Sequence, residues 1–287
     1  MSNMVVRTNV LAINSHRSLK QVGTQQAKSS ARLSSGYKVN SAADDAAGLA
    51  ISEKMRAQIR GLDQASTNAQ DAISLIQTAE GGMQEIDNMI QRIRELTVKA
   101  ANDTLEGSAA AGAPSDRVKV QDEIKQLVDE IDKMSERVEF NKKTLINGSF
   151  SAGAELHFQV GANAGQSMEL SIESVDATTL GIKTTFDAME TADGATISNM
   201  LTAIDTALEL VTTERSKLGA AQNRLEYTMK SLDISSENLS ASESRIRDTD
   251  MAKEMMSLTQ ANVLQQAATS MLAQANQAPQ SVLQLLQ

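Results

Sequence analysis

Cysteine is absent from this 287-residue chain, which excludes disulfides, thiolate metal sites and a cysteine nucleophile. Tryptophan is also missing, and two tyrosines with four phenylalanines bring the aromatics to only 2%. A compact core packed around large rings is therefore not expected. Ala, Leu, Ile and the 14 Met must fill it, and such residues suit thin helical bundles. Two prolines, Pro114 and Pro279, leave long stretches free of helix breakers. No apolar run approaches the ~20 residues needed to cross a bilayer, and the N-terminus lacks the apolar core of a signal peptide. No membrane insertion is expected, and an extracellular destination would need a dedicated export route.

Charge is missing locally as well. Residues 1–43 carry six bases (Arg7, Arg17, Lys20, Lys28, Arg32, Lys38) and no acid, within a chain of net charge -9. After Glu254 no charged side chain occurs through Gln287. A solvated helix normally carries charge on its outer face, so an uncharged one is expected to be enclosed by partners. The acidic excess lies in the middle, the expected water-facing part.

What the chain does have is periodicity. Steps of four and three from Ile197 give Leu201, Ile204, Leu208, Val211, Arg215, Leu218, Gln222, Leu225, Met229, Leu232, Ser236, Leu239, Glu243 and Ile246. Four of these are polar, so the seam predicts a coiled-coil-like helix of roughly 50 residues, about 75 Å long. A second rod follows Ile51, Met55, Leu62, Ala65, Ala69, Ala72, Ile76, Ala79, Met83, Ile86, Ile90 and Ile93, with small residues at its middle. A third, shorter helix shows Val120, Ile124, Leu127, Ile131, Met134 and Val138. Three apolar seams predict a bundle. Alternation in 155–160 (Leu156, Phe158, Val160) and 167–173 (Met168, Leu170, Ile172), around the turn-rich GANAG, predicts a β-hairpin laid on it.

The chain ends form a second tier. Val6, Val10, Ile13, Leu19, Val22 and Leu33 make one imperfect stripe, stopped by Gly36. Met251, Met255, Leu258, Ala261, Leu264, Ala268, Met271 and Ala275 make another, stopped near Pro279. Neither stripe would hold a lone helix in water, so the two are expected to order on each other or in a polymer. The fold class is thus mainly α: an elongated coiled-coil-like bundle with one β-hairpin, plus paired terminal helices. The expected divisions are 1–45, 46–175, a short centre at 176–195, 196–246 and 247–287.

Motifs for chemistry are missing. His16 and His157 fall on different elements, outside any metal-ligand spacing, and no phosphate loop or Gly-x-Ser-x-Gly occurs. Glu123, Asp129, Glu130 and Asp132 fit a solvated helix face. The sequons at Asn102, Asn147 and Asn238 have no secretory signal to act with. The N-terminal bases are spaced singly without aromatics between them, which argues against nucleic acid as a partner. No cofactor and no enzymatic activity are expected.

The stretch RLSSGYKVNSAADDAAGLAISEKMRAQIRGLDQASTNAQDAISLIQTAEGGMQEI resembles the N-terminal signature of bacterial flagellin. LGAAQNRLEYTM, SENLSASESRIRDTDMA and LQQAATSMLAQANQAPQSVLQLL resemble its C-terminal half, and FQVGANAGQ matches between them. The resemblance implies a helical homopolymer, with both termini in an inner tier lining the filament channel and the long helices with the hairpin outside it. It implies unfolded export through the flagellum's own apparatus, and a chaperone on the C-terminal segment before export. It also implies contact with filament cap and hook-junction proteins. QRIRELTVKA (91–100) resembles the stretch that Toll-like flagellin receptors grasp, and Arg92, Leu96 and Glu123 match the family's contact positions. Arg92 and Leu96, an i,i+4 pair off the Ile86, Ile90, Ile93 seam, are expected to face a partner together, unless Leu96 widens the apolar stripe. Two departures stand out: a centre of only about 20 residues (176–195), implying a comparatively smooth filament, and an Ala/Gly-rich loop at 105–116. Two readings compete with the filament subunit. A hook-filament junction protein shares flagellin-like ends; an enzyme on a flagellin scaffold would need an insertion that the short centre does not hold.

Overall fold

The computed structural model describes residues 8–102, 116–186 and 194–285. The loop expected at 105–116 therefore lies almost wholly outside the described residues, as do Val6 and part of the 176–195 centre. Within the described residues there are five helices: α1 (Val10–Ser35), α2 (Ala46–Ala100), α3 (Asp116–Arg137), α4 (Gly194–Arg247) and α5 (Met251–Leu285). Between α3 and α4 stand two antiparallel hairpins, β1 (Glu139–Phe140) with β2 (Lys143–Thr144) and β3 (Leu156–Gln159) with β4 (Ser167–Leu170). The chain separates into unit 1, residues Met1–Ile59 with Glu237–Gln287, and unit 2, residues Arg60–Ser236.

In unit 2, α2 and α4 run antiparallel. Ser236 donates to Asp63 (2.8 Å), Ser66 to Asp233 (3.2 Å) and Arg94 to Asp205 (2.9 Å), which fixes their register. The predicted α2 seam from Ala65 through Ile93 is buried throughout. On α4, Ile197, Ile204, Val211, Leu218, Leu225 and Leu232 are buried, one per heptad. The alternate seam position is displaced by one residue. Met200, Ala207 and Ala221 are buried, whereas Leu201 and Leu208 are only partly covered while packing against the core. A seam stepped for one partner helix is too narrow here, because several elements cover α4 and its apolar face widens accordingly. Arg215, a polar position in that seam, meets Glu80 and Asp87, each at 3.8 Å, a placement that favours one register over its slipped alternatives.

Chain outside the three helices covers what α3 is too short to reach. The β3–β4 register pairs Leu156 with Leu170 and Phe158 with Met168, so the alternation expected from the sequence puts its apolar side on the core. The hairpin β1–β2 was not anticipated. Its strands are two residues long, and its turn is set by Asn141 and Lys142 at positive φ (50° and 63°), the geometry a two-residue hairpin loop requires. The residues after β4 also pack tightly: Val175, Ala177, Leu180, Ile182 and Phe186 are all buried. Asp132 on α3 accepts from Ala177 N (2.8 Å) and Lys183 Nζ (2.7 Å), while Gln121 donates to the Phe186 carbonyl (2.6 Å). This part of the expected centre is thus a strap across α3.

A pair of adjacent glycines on α2 shows how closely the layers approach. A Cβ on Gly82 would lie 2.6 Å from Val138 Cγ2, whereas one on Gly81 meets nothing within 4 Å. Gly82→Ala is expected to destabilise unit 2 by about 1 kcal/mol or more, overpacking outweighing the helix propensity gained. Gly81→Ala should instead stabilise it by up to ~1 kcal/mol. Thermal denaturation of the two variants should give shifts of opposite sign.

Candidate assembly interface

Unit 1 is organised by a helix pair. Asn9 caps α1 by accepting from Ala12 N (3.0 Å), and Gly36, in the left-handed region at φ 77°, ends it by donating to the Arg32 carbonyl. Asp250 caps α5 by accepting from Lys253 N (3.1 Å). The two helices run antiparallel: Arg32 faces Glu254 (3.8 Å), Ser29 meets Ser257 (3.5 Å) and Gln26 donates to Asn262 (2.7 Å). The covered positions form heptads on both. They include Ala12, Ser15, Leu19, Val22, Gln26, Ser29 and Leu33 on α1, and Glu254, Leu258, Ala261, Gln265, Ala268, Leu272 and Ala275 on α5.

Proline does not stop α5. The helix expected to end near Pro279 continues to Leu285. Proline has no N–H to give the carbonyl four residues back, that of Ala275, and there Asn9 Nδ2 donates instead (2.7 Å). The orphaned acceptor is thus satisfied from α1.

The seam mixes small and polar residues with Leu19, Val22, Leu33, Leu258 and Leu272, while the other large apolar side chains described on the two helices point away from it. Val10, Leu11 and Ile13 on α1 are exposed, as are Met251, Met255, Met256, Val263, Leu264 and Met271 on α5. The sequence stripe read as one face therefore merges two. Ala261, Ala268 and Ala275, spaced by seven, belong to the helix pair, whereas Met251, Met255, Leu264 and Met271 face outward with Met256 and Val263. Methionine was the available signal: those described on α5 are all exposed, and methionines mark an adaptable contact surface. Met255, Met256, Val263 and Leu264, with Thr259 and Gln260, line an open groove along α5. Flexible thioethers exposed side by side along one helix suit contact with another protein.

The chain between α1 and α2 is tied to the end of α4. Lys38 N donates to the Arg247 carbonyl (2.6 Å), and Thr249 N to the Gly36 carbonyl (2.9 Å). The Arg247 guanidinium lies 4.7 Å from the centre of the Tyr37 ring and pairs with Glu53 (2.6 Å). Arg56 lies 5.9 Å from the same ring and pairs with Glu243 (3.2 Å). These ties place the first turns of α2, through Ile59, in unit 1 rather than ending it at residue 45. At the α2 start Ser52 is buried and Ile51 exposed, so the seam predicted to begin at Ile51 begins one residue later.

Asp44 is the acid-sensitive member of this junction. Lys28 Nζ lies 3.0 Å from its Oδ1, and the Ser41 hydroxyl (3.1 Å) and N–H (3.2 Å) donate to its Oδ2. The Lys28 hydrogen bond, then those of Ser41, lower its carboxyl from 3.8 to about 2. The folded value lies below the unfolded one. The stabilisation is therefore complete above about pH 4 and is lost as pH falls from there through about 2. Amide exchange at residues 36–45 should accelerate over that window, and Asp44→Asn should remove the dependence.

In unit 2 the predicted contact residues separate. Arg92 is exposed on α2 and pairs with Glu123 on α3 (2.9 Å) and with Glu95 (3.0 Å). These carboxylates, Glu123 foremost, raise the Arg92 pKa further. Leu96 is 2% exposed and belongs to the apolar core. The expectation that it faces a partner beside Arg92 is corrected: the apolar stripe of α2 is wider than the predicted seam, and Leu96 lies inside it.

Residues 6–151 match the bacterial flagellin N-terminal helical region, and residues 201–286 the bacterial flagellin C-terminal helical region. The flagellin of Halalkalibacterium halodurans is 49% identical over 99% of this chain and 100% of its own length. The chain belongs to the bacterial flagellin family. The flagellar filament 33 kDa core protein of Treponema phagedenis is 44% identical over 99% of this chain and 100% of its own. A putative flagellar hook-associated protein from Vibrio parahaemolyticus shares the fold, with a TM-score of 0.58 and 14% identity over 71% of this chain and 100% of that one. Flagellin membership makes the chain a structural filament subunit that self-assembles. The two matched regions carry α1 to α3 with β1–β2, and α4 with α5. The β3–β4 hairpin and the 175–186 strap fall in the stretch between them.

Proposed function

We propose that the chain is the main repeating subunit of a swimming flagellum, and that polymerisation covers the outward faces of α1 and α5. One observation carries this reading: a terminal helix pair that keeps only part of its apolar residues in its own seam turns Val10, Leu11 and Ile13 on α1, and four methionines with Val263 and Leu264 on α5, outward. Burial removes this apolar surface from water at roughly 25 cal/mol per Å², and other copies of the chain supply the cover. In the proposed filament, residues 1–45 and 247–287 form the inner, channel-lining tier. The 46–175 and 196–246 segments form the outer tier around the short centre. The role is non-enzymatic. The flagellar export apparatus, without a cleaved signal peptide, delivers the subunit, an export chaperone holds the uncharged C-terminal segment, and the filament joins cap and hook-junction proteins.

Elongation of purified protein on sheared filament seeds, followed by electron microscopy, tests the reading. Long helical filaments are the expected result. Binding to seed ends without extension would point to a junction protein instead.

Recognition of the monomer by a Toll-like flagellin receptor is proposed for the Arg92 and Glu123 surface, supported by the QRIRELTVKA resemblance and by the exposure of both side chains. Leu96 acts there from beneath, as core. Arg92→Ala is expected to weaken binding to a receptor ectodomain by about 1–3 kcal/mol. Its melting temperature should stay nearly unchanged, because exposed ion pairs contribute only ~0–1 kcal/mol. Equal affinities for the two proteins would remove Arg92 from the contact.

A further inference from the structure

The methionines are sorted by exposure. Among the described residues, all four exposed ones, Met251, Met255, Met256 and Met271, lie on α5. Met256 is 67% exposed and Met255 52%, whereas Met83, Met168 and Met200 are buried in the core of unit 2. No charged side chain follows Glu254, so the α5 face owes its apolar character largely to these thioethers and to Val263 and Leu264.

We propose that these four methionines form an oxidation-controlled assembly site: conversion to sulfoxides by a peroxide blocks addition of the subunit to a filament, and reduction restores it. The inference rests on the assembly reading above. The sulfur lone pair attacks one oxygen of hydrogen peroxide, the O–O bond breaks, and the departing hydroxide leaves as water after proton transfer. Sulfur loses two electrons and peroxide gains them, giving one sulfoxide and one water per methionine.

The product is a polar acceptor that water solvates on the free monomer. Beneath a second copy it must find a donor, and the one hydroxyl lining the groove is committed, since Thr259 Oγ1 donates to the Met255 carbonyl (2.8 Å). An acceptor buried without a donor is penalised, so each sulfoxide opposes the assembled state. Once assembled, the same face is covered and the thioethers are shielded, which makes the subunit in transit, rather than the finished filament, the sensitive species.

The test treats full-length monomer with hydrogen peroxide, maps sulfoxides by peptide mass spectrometry and measures the monomer left at the plateau of growth on filament seeds. The α5 methionines should oxidise ahead of Met83 and Met168, and residual monomer should rise about tenfold or more. Treatment with both methionine sulfoxide reductases, one per epimer, and a thiol reductant should restore growth. The combined Met251→Leu, Met255→Leu, Met256→Leu and Met271→Leu variant should lose the peroxide sensitivity: whatever its own untreated plateau, peroxide should not lower its growth. Should that variant not assemble, reductase rescue of the wild-type protein still decides the matter. Oxidised monomer that grows to the untreated plateau, reductase treatment that fails to restore growth, or a growing Leu variant that peroxide stops equally would overturn the proposal. So would equal oxidation of Met255 and Met256 in monomer and filament. Untreated wild-type monomer that fails to grow on seeds would refute the assembly reading itself, a separate result.

Discussion

Removing α5, residues 251–287, is expected to abolish filament growth while leaving unit 2 folded. The core of unit 2 is drawn from α2, α3, the hairpins, the strap and α4, with every buried member between Ala69 and Leu225. None of it comes from α5. The deletion strips away the outward methionine face, and it also removes the partner of α1. Asn9, Gln26, Ser29 and Arg32 lose Ala275, Asn262, Ser257 and Glu254. A single helix with so weak a stripe is not stable alone in water, so the 26 residues of α1 should unwind as well. Circular dichroism should therefore lose more signal than the 35 residues of α5 account for, while the thermal transition of unit 2 is retained. Sedimentation of the truncated protein with seeds should show no polymer. Filaments of normal length would refute the assignment of α5 to assembly.

The second large effect falls on the bundle. Leu225→Asp is expected to destabilise unit 2 by about 3–5 kcal/mol, because it deletes a fully buried side chain and places a charge without a partner in its site. Leu218 and Leu232, one heptad to either side, are buried too, which leaves the carboxylate no short route to water along the seam. For a domain of this size the loss corresponds to a fall in melting temperature of roughly 6–20 °C. Leu201→Asp, at a partly covered flank of the same helix, should cost much less. Similar losses for both would mean that the α4 face is wider still than the structure shows.

The contrast between those two leucines shows what periodicity could and could not convey. The Ile197 to Leu232 heptad was legible because one residue in seven must stay buried however the helix is surrounded. Leu201 and Leu208 could be tested against Met200 and Ala207 only by knowing how many elements surround α4. Leu96 illustrates the same limit, since a position just off a two-helix seam becomes core where the apolar stripe is wider than that seam. The β3–β4 hairpin could be anticipated from a clean alternation around a glycine-rich turn. The β1–β2 hairpin was hidden, because two-residue strands carry no period and its turn uses Asn141 and Lys142 without glycine. The strap at 175–186 looked like a variable centre, although its apolar side chains are anchored through Asp132 and Gln121, contacts made across the fold.

The terminal helices raise the opposite difficulty. Their apolar residues are visible in sequence, yet on each helix they divide between a seam within the chain and an outward, exposed face. Size separates the two faces only in part: Leu19, Val22, Leu33, Leu258 and Leu272 share the seam with Ala and Ser, whereas the α5 methionines all turn outward.

Hydrogen exchange on monomer and filament, compared at residues 10–35 and 251–277, tests the assembly claim most directly. The account predicts rapid exchange in the monomer, where the seam between two helices alone holds the pair, and strong protection in the filament, with residues 69–100 protected in both. Equal protection of the terminal helices in the two states would contradict it.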